Sequence, residues 1–216
     1  MSIKDEVLHQ GYALIHGYFP KIDILAIANQ LGKTLEPWDG GMVQDLVPRS
    51  NSTPNTYSGI YRLGAFPFHT DLAHWRSPPR FLVLRCVTGY SSVPTLLIDG
   101  KAIVESLSFE VLGRAIVKPR RPRQGSLPLL RLCASIADEC CLRWDDVFLQ
   151  SASNVGAVAM SRMRDYISNC KPVKIRLVEL GDTVLIDNWR MLHARSSIPA
   201  GCEKRKIQRV YLESLY

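Results

Sequence analysis

The chain has 216 residues, of which 46% are hydrophobic and 22% are charged, a composition typical of a folded globular protein and not of a disordered one. This length can bury a substantial core, so we expect a single domain over residues 1–216. No apolar run reaches the roughly 20 residues that cross a bilayer, and the N-terminal segment lacks the features of a signal peptide. The six cysteines contain no C-x-x-C pair, so we expect reduced thiols and a cytoplasmic protein with no membrane partner.

The chain is basic, with a formal net charge of +7 and an isoelectric point of about 9.2. Such a charge permits a nucleic-acid partner or an anionic substrate but requires neither. The basic residues are scattered except in the run KPRRPR at 118–123, which has two prolines and no aromatic residue. Because proline disfavours a regular binding helix, we expect a solvated loop here and no nucleic-acid partner.

The first part of the chain predicts a strand, a helix and a loop, followed by a group of strands. The strand covers 11–18, and the helix begins after Asp23 and ends at Gly32. The segment 38–60 is rich in Gly, Pro, Ser and Asn, which predicts a loop that can lie over a site. Apolar and β-branched runs bounded by Pro and Gly then predict strands over 66–75, 81–88 and 94–99.

The middle of the chain has helical patterns, and its end has strand patterns. Helices are predicted over 101–116, 130–141 and 155–169, with a basic, proline-containing connection over 117–130. Strands are predicted over 172–180, 182–188 and 206–214. Strand groups that flank a helical middle, without βαβ alternation, favour a mainly β fold with flanking helices, an α+β arrangement around a barrel or jelly roll.

His69, Asp71 and His193 are the candidate metal ligands. Residues two apart on a strand point to the same face, so the strand predicted over 66–75 would project His69 and Asp71 together. With His193 they supply two imidazoles and one carboxylate, the protein ligands of a non-haem Fe(II) oxygenase site with three open positions. The spacing alone leaves other interpretations open, because H-x-D often occurs by chance and a lone histidine is often a core residue.

Arg205 and Arg209 are candidate anion-binding residues near the C-terminus. A strand is predicted over 206–214, and Arg205 directly precedes it. If the extended backbone includes Arg205, then Arg205, Ile207 and Arg209 lie on the same face. A guanidinium is planar, stays charged and can bind a carboxylate through two hydrogen bonds, which would suit a dicarboxylate such as 2-oxoglutarate. The alternative is a pair of solvated arginines on an edge strand.

Three motifs in order give the sequence a family resemblance. His69-Thr70-Asp71 precedes a Pro-Pro segment and an apolar strand, Thr95-Leu96-Leu97-Ile98-Asp99-Gly100 follows, and Asp187-Asn188-Trp189-Arg190-Met191-Leu192-His193 comes last. From about residue 66 to its end the chain resembles the taurine dioxygenase and clavaminate synthase-like branch of the 2-oxoglutarate oxygenases. The resemblance implies a core of the double-stranded β-helix, or jelly-roll, type.

The resemblance also implies roles for individual residues. His69, Asp71 and His193 would hold Fe(II), and Arg205 would bind the distal carboxylate of 2-oxoglutarate beside the hydroxyl of Thr95. Arg209 would face the keto-acid end of this co-substrate or an anionic group of the substrate.

The expected enzyme is a dioxygenase that uses O2 to hydroxylate or desaturate an unactivated C–H bond of a small molecule. Related halogenases have a small residue at the position of Asp71, so the carboxylate argues against halogenation. We expect an amino acid or natural-product intermediate as substrate, recognised by segments 40–60 and 117–130. The alternatives are an oxygenase that acts on a macromolecule and a non-catalytic metal-binding β-barrel protein; the pattern does not predict an oligomeric state.

Overall fold

The computed structural model describes residues 2–37, 41–122 and 125–216. Within these ranges the chain forms six helices: α1 (Ile3–Gln10), α2 (Ile24–Leu31), α3 (Tyr57–Tyr61), α4 (Gly100–Leu107), α5 (Phe109–Arg114) and α6 (Asn154–Asn169). The same ranges contain fifteen strands: β1 (Tyr12–Ile15), β2 (Gly32–Leu35), β3 (Gln44–Leu46), β4 (Phe66–His69), β5 (Phe81–Thr88), β6 (Thr95–Asp99), β7 (Ile116–Pro119), β8 (Leu130–Arg131), β9 (Cys133–Ile136), β10 (Glu139–Leu142), β11 (Leu149–Ser151), β12 (Val173–Ile175), β13 (Thr183–Asp187), β14 (Met191–Arg195) and β15 (Lys206–Leu215).

Two antiparallel sheets face each other and share a core. The larger sheet has the order β1-β13-β5-β15-β2, with β3 also paired to β15, and the smaller sheet has the order β12-β6-β14-β4. Side chains alternate along β5, so Leu82, Leu84 and Cys86 point between the sheets while Phe81 and Val83 point outward. The other buried residues of the shared core are Leu97, Ile175, Leu177, Val184, Ile186, Met191, Ile207 and Tyr211.

Helices cover the outer faces of both sheets. Val7 of α1 and Ile24 of α2 pack against Val83 and Leu185 of the larger sheet. Helices α4, α5 and α6 form a second apolar cluster against the smaller sheet, which contributes Ile98 and Leu192. The chain is therefore mainly β with flanking helices, as predicted. None of the helices in the described ranges is long and apolar enough to span a membrane.

The elements with strong local signals form as predicted. Asp23 accepts hydrogen bonds from the N–H groups of Leu25 and Ala26, which begins α2, and the helix ends before Gly32. The strands predicted over 11–18, 81–88 and 94–99 correspond to β1, β5 and β6, and those predicted at the end of the chain correspond to β12, β13 and β15. The helix predicted over 155–169 is α6.

The prediction of a helix over 130–141 is wrong. This segment forms the hairpin of β9 and β10, in which Ile136 pairs with Glu139. The two residues between them, Ala137 and Asp138, have φ angles of 49° and 64°. Two consecutive left-handed residues form the tight turn that suits the twist of a hairpin. The sequence did not predict this turn, because alanine is not a residue type that favours a left-handed conformation.

Three further predictions need correction. The loop predicted over 38–60 contains β3 and α3, and the connection predicted over 117–130 begins within β7 and ends in β8. The helix predicted over 101–116 is two helices, because Ser108 has a φ of 70° and its hydroxyl starts α5. Trp38, Asp39 and Gly40 in the first segment, and Arg123 and Gln124 in the second, lie outside the described residues.

Asp187, at the end of β13, is a buried carboxylate whose ionisation the fold disfavours. Burial raises its pKa to about 6, although Arg80 and the Trp189 N–H favour the charged form. Because this folded-state pKa lies above the usual 3.8, the group stabilises the fold below about pH 4 and loses that contribution as the pH rises to about 6.

We expect Asp187→Asn to flatten this pH dependence, since the amide keeps an acceptor for Trp189 but does not titrate. The difference in the free energy of unfolding between about pH 4 and about pH 6 should change by on the order of 2 kcal/mol. Urea unfolding of both proteins across this range measures the effect. An identical pH profile in Asp187→Asn would contradict the assignment.

Candidate metal centre

The three predicted ligands meet between the two sheets. His69 ends β4, His193 is the central residue of β14, and the two are directly paired in the antiparallel register. Asp71 lies in the turn that follows β4, since that strand ends at His69. The prediction that a strand carries both His69 and Asp71 is therefore wrong, although their side chains do converge.

The ligand atoms are close enough to surround one ion. One atom from each of the three residues can be chosen so that all lie within 4.8 Å of one another. Asp71 lies beside both imidazoles, with Oδ1 3.6 Å from His69 Nε2 and Oδ2 3.7 Å from His193 Nε2. His69 Nδ1 donates to the Pro67 carbonyl oxygen at 2.9 Å, so its Nε2 can present a lone pair to a cation.

The protonation states of Asp71 and His193 also suit a metal. The exposed fractions are only 8% for His69, 6% for Asp71 and 7% for His193. Burial would raise the pKa of Asp71, but Arg209 and the two imidazoles outweigh it and hold this pKa well below its usual range. Burial together with His69 lowers the pKa of His193, whereas at His69 the Asp71 carboxylate outweighs burial and raises the pKa. An ionised carboxylate beside a neutral His193 matches what metal ligands require.

Arg209 is the charge partner of Asp71. Its Nη1 donates to Asp71 Oδ2 at 2.7 Å, while its Nε and Nη2 donate to Gln44 Oε1 at 3.0 and 2.6 Å. The strands β15 and β3 therefore place a cation from the larger sheet against a carboxylate that follows β4 of the smaller one. Arg209 as a contact for a co-substrate or substrate stays a prediction.

Asn188 fixes the backbone of Asp71 from the other side. Its side-chain oxygen accepts from the Asp71 N–H at 2.7 Å, and its Nδ2 donates to the carbonyls of Asp71 and Pro79 at 3.0 and 2.9 Å. These hydrogen bonds use three of the four bonding directions of the buried amide. Two of them bind the N–H and the carbonyl of Asp71. The asparagine of the D-N-x-R-x-x-H motif thus orients the ligand turn.

Arg205 is a buried cation without an ion-pair partner in the described ranges. It lies directly before β15, is 6% exposed, and has no hydrogen-bond partner at Nε among the described residues. Burial lowers its pKa to about 10. Thr95 begins β6 and lines the same cavity as Arg205. A buried charge without compensation is costly, so this corner of the cavity is suited to an anionic ligand.

A cavity of about 750 Å³ joins these groups. The triad, Thr95, Arg205 and Arg209 all lie on its wall. The two segments predicted to recognise substrate contribute to the same wall. Their lining residues are Asp45, Leu46, Val47, Arg49, Asn55, Thr56, Tyr57, Ser58, Ile60, Pro119, Arg120, Arg121 and Pro122.

Two residues beside His69 were missed by the sequence analysis. The Tyr57 ring stacks on the His69 imidazole at 4.4 Å between centroids. Asp145 is 4% exposed, and its Oδ1 accepts from the N–H groups of Val147 and Phe148. Burial raises the pKa of Asp145, against the effect of His69. Asp145 reaches the site through a long-range bridge to His69, for which the sequence pattern carried no signal.

Similarity to known proteins is found among solved structures. No protein-family model and no curated protein matches the chain. Among solved structures, an asparagine oxygenase in complex with Fe(II), 3-hydroxyasparagine and succinate is 19% identical, with a TM-score of 0.66 over 84% of this chain and 60% of that one. The chain thus spans about 60% of the length of that enzyme.

Two other similar structures cover almost the whole chain. PvcB from Pseudomonas aeruginosa is 18% identical, with a TM-score of 0.70 over 97% of this chain and 78% of that one. The non-haem iron oxygenase OrfP, in complex with Fe, succinate and (3S)-hydroxy-L-arginine, is 18% identical, with a TM-score of 0.69 over 98% and 77%. In fold, the chain is therefore similar to iron- and 2-oxoglutarate-dependent oxygenases.

Proposed function

We propose that the protein is a non-haem Fe(II)- and 2-oxoglutarate-dependent dioxygenase that hydroxylates or desaturates an unactivated C–H bond of a small molecule. The observation that carries this proposal is a buried cluster of His69, Asp71 and His193. It shares one cavity with Arg205, a cation that has no ion-pair partner among the described residues. The similar structures support it, because their complexes contain Fe, succinate and hydroxylated amino acids.

The residues present fit the proposed metal and co-substrate. His69, Asp71 and His193 would hold Fe(II), which leaves positions open for other ligands. Arg205 would bind the distal carboxylate of 2-oxoglutarate, with Thr95 lining the same space. When bound, these groups supply the chemistry in which O2 oxidises substrate and co-substrate together, with succinate and CO2 as the co-products. The protein positions the ligands and excludes water around them.

We propose an amino acid or a related natural-product intermediate as the substrate. The asparagine oxygenase and OrfP structures contain hydroxylated amino acids, and PvcB is described as an oxygenase of an isonitrile synthetic pathway. The cavity has groups that suit an amino acid: the Asp145 carboxylate can bind an ammonium, and Arg120 and Arg121 can bind a carboxylate.

We propose that the facing sheets form a double-stranded β-helix and that residues 1–216 form one domain. The layers of helix, sheet, sheet and helix with shared cores support this. A cytoplasmic location is proposed because the cysteines are free thiols.

A succinate-release screen tests the function as a whole. Protein supplied with Fe(II), 2-oxoglutarate and O2 should form succinate faster when the correct amino acid is present. Protein that binds both ligands but forms no succinate would favour the non-catalytic metal-binding alternative. Salt-sensitive binding to nucleic acid, with succinate release stimulated by it, would favour a macromolecular substrate.

Metal binding should depend on the two imidazoles. We expect anaerobic Fe(II) titration to show one site, and His69→Ala and His193→Ala each to lose it, because each removes one of three protein ligands. His9→Ala is the matched control, since His9 is exposed on α1 and should leave the affinity unchanged. Unchanged iron affinity in both cavity variants would refute the ligand assignment.

Arg205→Met should weaken 2-oxoglutarate binding by about 2–5 kcal/mol, the range for removing one partner of a buried charge pair. Calorimetric titration in the presence of the metal measures this. Arg131→Met, a change at an exposed arginine outside the cavity, should bind normally. If Arg205→Met binds as tightly as the wild type, the distal carboxylate is held elsewhere, and Arg209→Met is then the variant to compare.

The same Arg205→Met substitution should make the ligand-free protein more stable. It replaces a buried, unpaired charge by an apolar side chain of similar length, so we expect the free energy of unfolding to rise by about 0.5–2 kcal/mol. Urea unfolding without ligands measures this. A clear loss of stability would show that Arg205 has a structural partner in the folded protein.

The product should be an oxidised form of the substrate that contains no chlorine. Asp71 fills the position that a halide would need at the metal, so the substrate should gain one oxygen atom from O2, or lose two hydrogen atoms if desaturation prevails. Mass spectrometry of reactions run in chloride buffer under isotopically labelled O2 distinguishes these outcomes. A chlorinated product from the wild-type protein would contradict the role given to Asp71.

A further inference from the structure

Arg143 is a buried cation that the proposed reaction does not use. It is 2% exposed and lies between β10 and the cavity residue Asp145. In the described part of the chain no carboxylate forms an ion pair with it, and burial lowers its pKa. Because a buried charge without an ion-pair partner is costly, this guanidinium requires other hydrogen-bond acceptors.

Among the described residues, the Nη atoms of Arg143 donate only to backbone carbonyls. Its Nη1 donates to the carbonyl oxygens of Ala73 and Trp75 at 2.7 and 2.5 Å, and its Nη2 donates to that of Arg76 at 3.2 Å. All three carbonyls belong to the turn that follows Asp71. A planar guanidinium can reach several acceptors at once in fixed directions, which lysine cannot do.

The turn held by Arg143 is strained at its first residue. Leu72, the neighbour of Asp71, has a φ of 56°, and the Trp75 N–H donates to the Leu72 carbonyl at 2.8 Å. A left-handed conformation is costly for a residue such as leucine and persists only where the surroundings enforce it. The conformation at Leu72 sets the direction in which the chain leaves Asp71.

The segment 143–145, which carries Arg143, is also tied directly to the ligand segment. The Thr70 N–H donates to the Trp144 carbonyl at 2.8 Å, and the Trp144 N–H donates to Thr70 Oγ1 at 3.1 Å. An isolated bridge pairs His69 with Asp145. Residues 143–145 therefore run alongside 69–76 and contact the backbone on both sides of Asp71.

We propose that Arg143 is a positioning residue for the metal centre, which holds the strained turn after Asp71 so that its carboxylate stays directed at the two imidazoles. The inference rests on the proposed function, because it assumes that the triad binds a metal. It assigns to the segment 143–145 the task of preorganising a ligand that no regular strand supports. Residues that orient metal ligands typically contribute about 10–100-fold to metal affinity.

The chain offers a matched control in Arg85. This arginine is 3% exposed, and its guanidinium also clamps a loop through the carbonyls of Tyr18, Phe19 and Ile22. Arg85 does not line the cavity. Replacing either arginine by lysine removes the same kind of multiple backbone contact, so both variants should lose comparable stability.

The experiment compares Co(II) binding by the wild type, Arg143→Lys and Arg85→Lys, with thermal unfolding of each. Co(II) stands in for Fe(II), and its visible absorption reports the ligand geometry. We expect Arg143→Lys to bind Co(II) at least about 10-fold more weakly with an altered spectrum. Arg85→Lys should have wild-type affinity and spectrum.

If Arg143→Lys does not fold, Thr70→Val takes its place, because it removes the side-chain acceptor of Trp144 with almost no change of shape. It should weaken Co(II) binding several-fold in a protein that still folds and unfolds cooperatively.

Wild-type affinity in Arg143→Lys would overturn the role of Arg143. Wild-type affinity in Thr70→Val, where it is the variant used, would show that the segment 143–145 does not position Asp71 and would overturn the role of Arg143 with it. An equal loss of affinity in Arg85→Lys would do so as well, since it would reduce the effect to general stability. A wild-type protein that binds no Co(II) would overturn the metal centre itself, and the role of Arg143 with it.

Discussion

The site depends on keeping one ionised carboxylate, Asp71, in the water-poor space between two sheets. Burial alone would raise its pKa, because an uncompensated buried charge is costly. Arg209 supplies the opposite charge at 2.7 Å, and two imidazoles lie within 4 Å. Removing Arg209 would leave the charge of the carboxylate uncompensated, and removing an imidazole would take away one of its stabilising neighbours, so the cluster is coupled as a unit.

The fold meets this constraint by dividing the charges between the sheets. The smaller sheet and the turn after it provide His69, Asp71 and His193, whereas the larger sheet provides Arg209 through β15. The carboxylate and its arginine are therefore far apart in sequence and meet only when the sheets pack. The apolar core that joins the sheets fixes their separation, so packing elsewhere sets the geometry of the site.

Local signals explain what could be predicted from the sequence. The Asp23 cap and the apolar run of β5 are local signals that lie within the elements they define or directly beside them, and both were identified. The turn at Ala137 and the left-handed Leu72 are different, because neither residue type favours the conformation that tertiary contacts impose. The order of motifs predicted three metal ligands, and the fold brings these three residues together. The position of Asp145, in contrast, depends on a bridge to His69 that no local pattern encodes.

The charges around the cavity also connect the two proposed ligands. Asp71 and Arg209 neutralise each other, and Arg205 has no ion-pair partner in the described ranges, so the centre already carries excess positive charge. A divalent cation alone would add to this excess, and a dicarboxylate alone would place a negative charge beside Asp71. Bound together, their charges cancel, so joint occupation adds no net charge to the cavity. At low dielectric such compensation is strong, so the fold favours joint occupation by metal and co-substrate over either one alone.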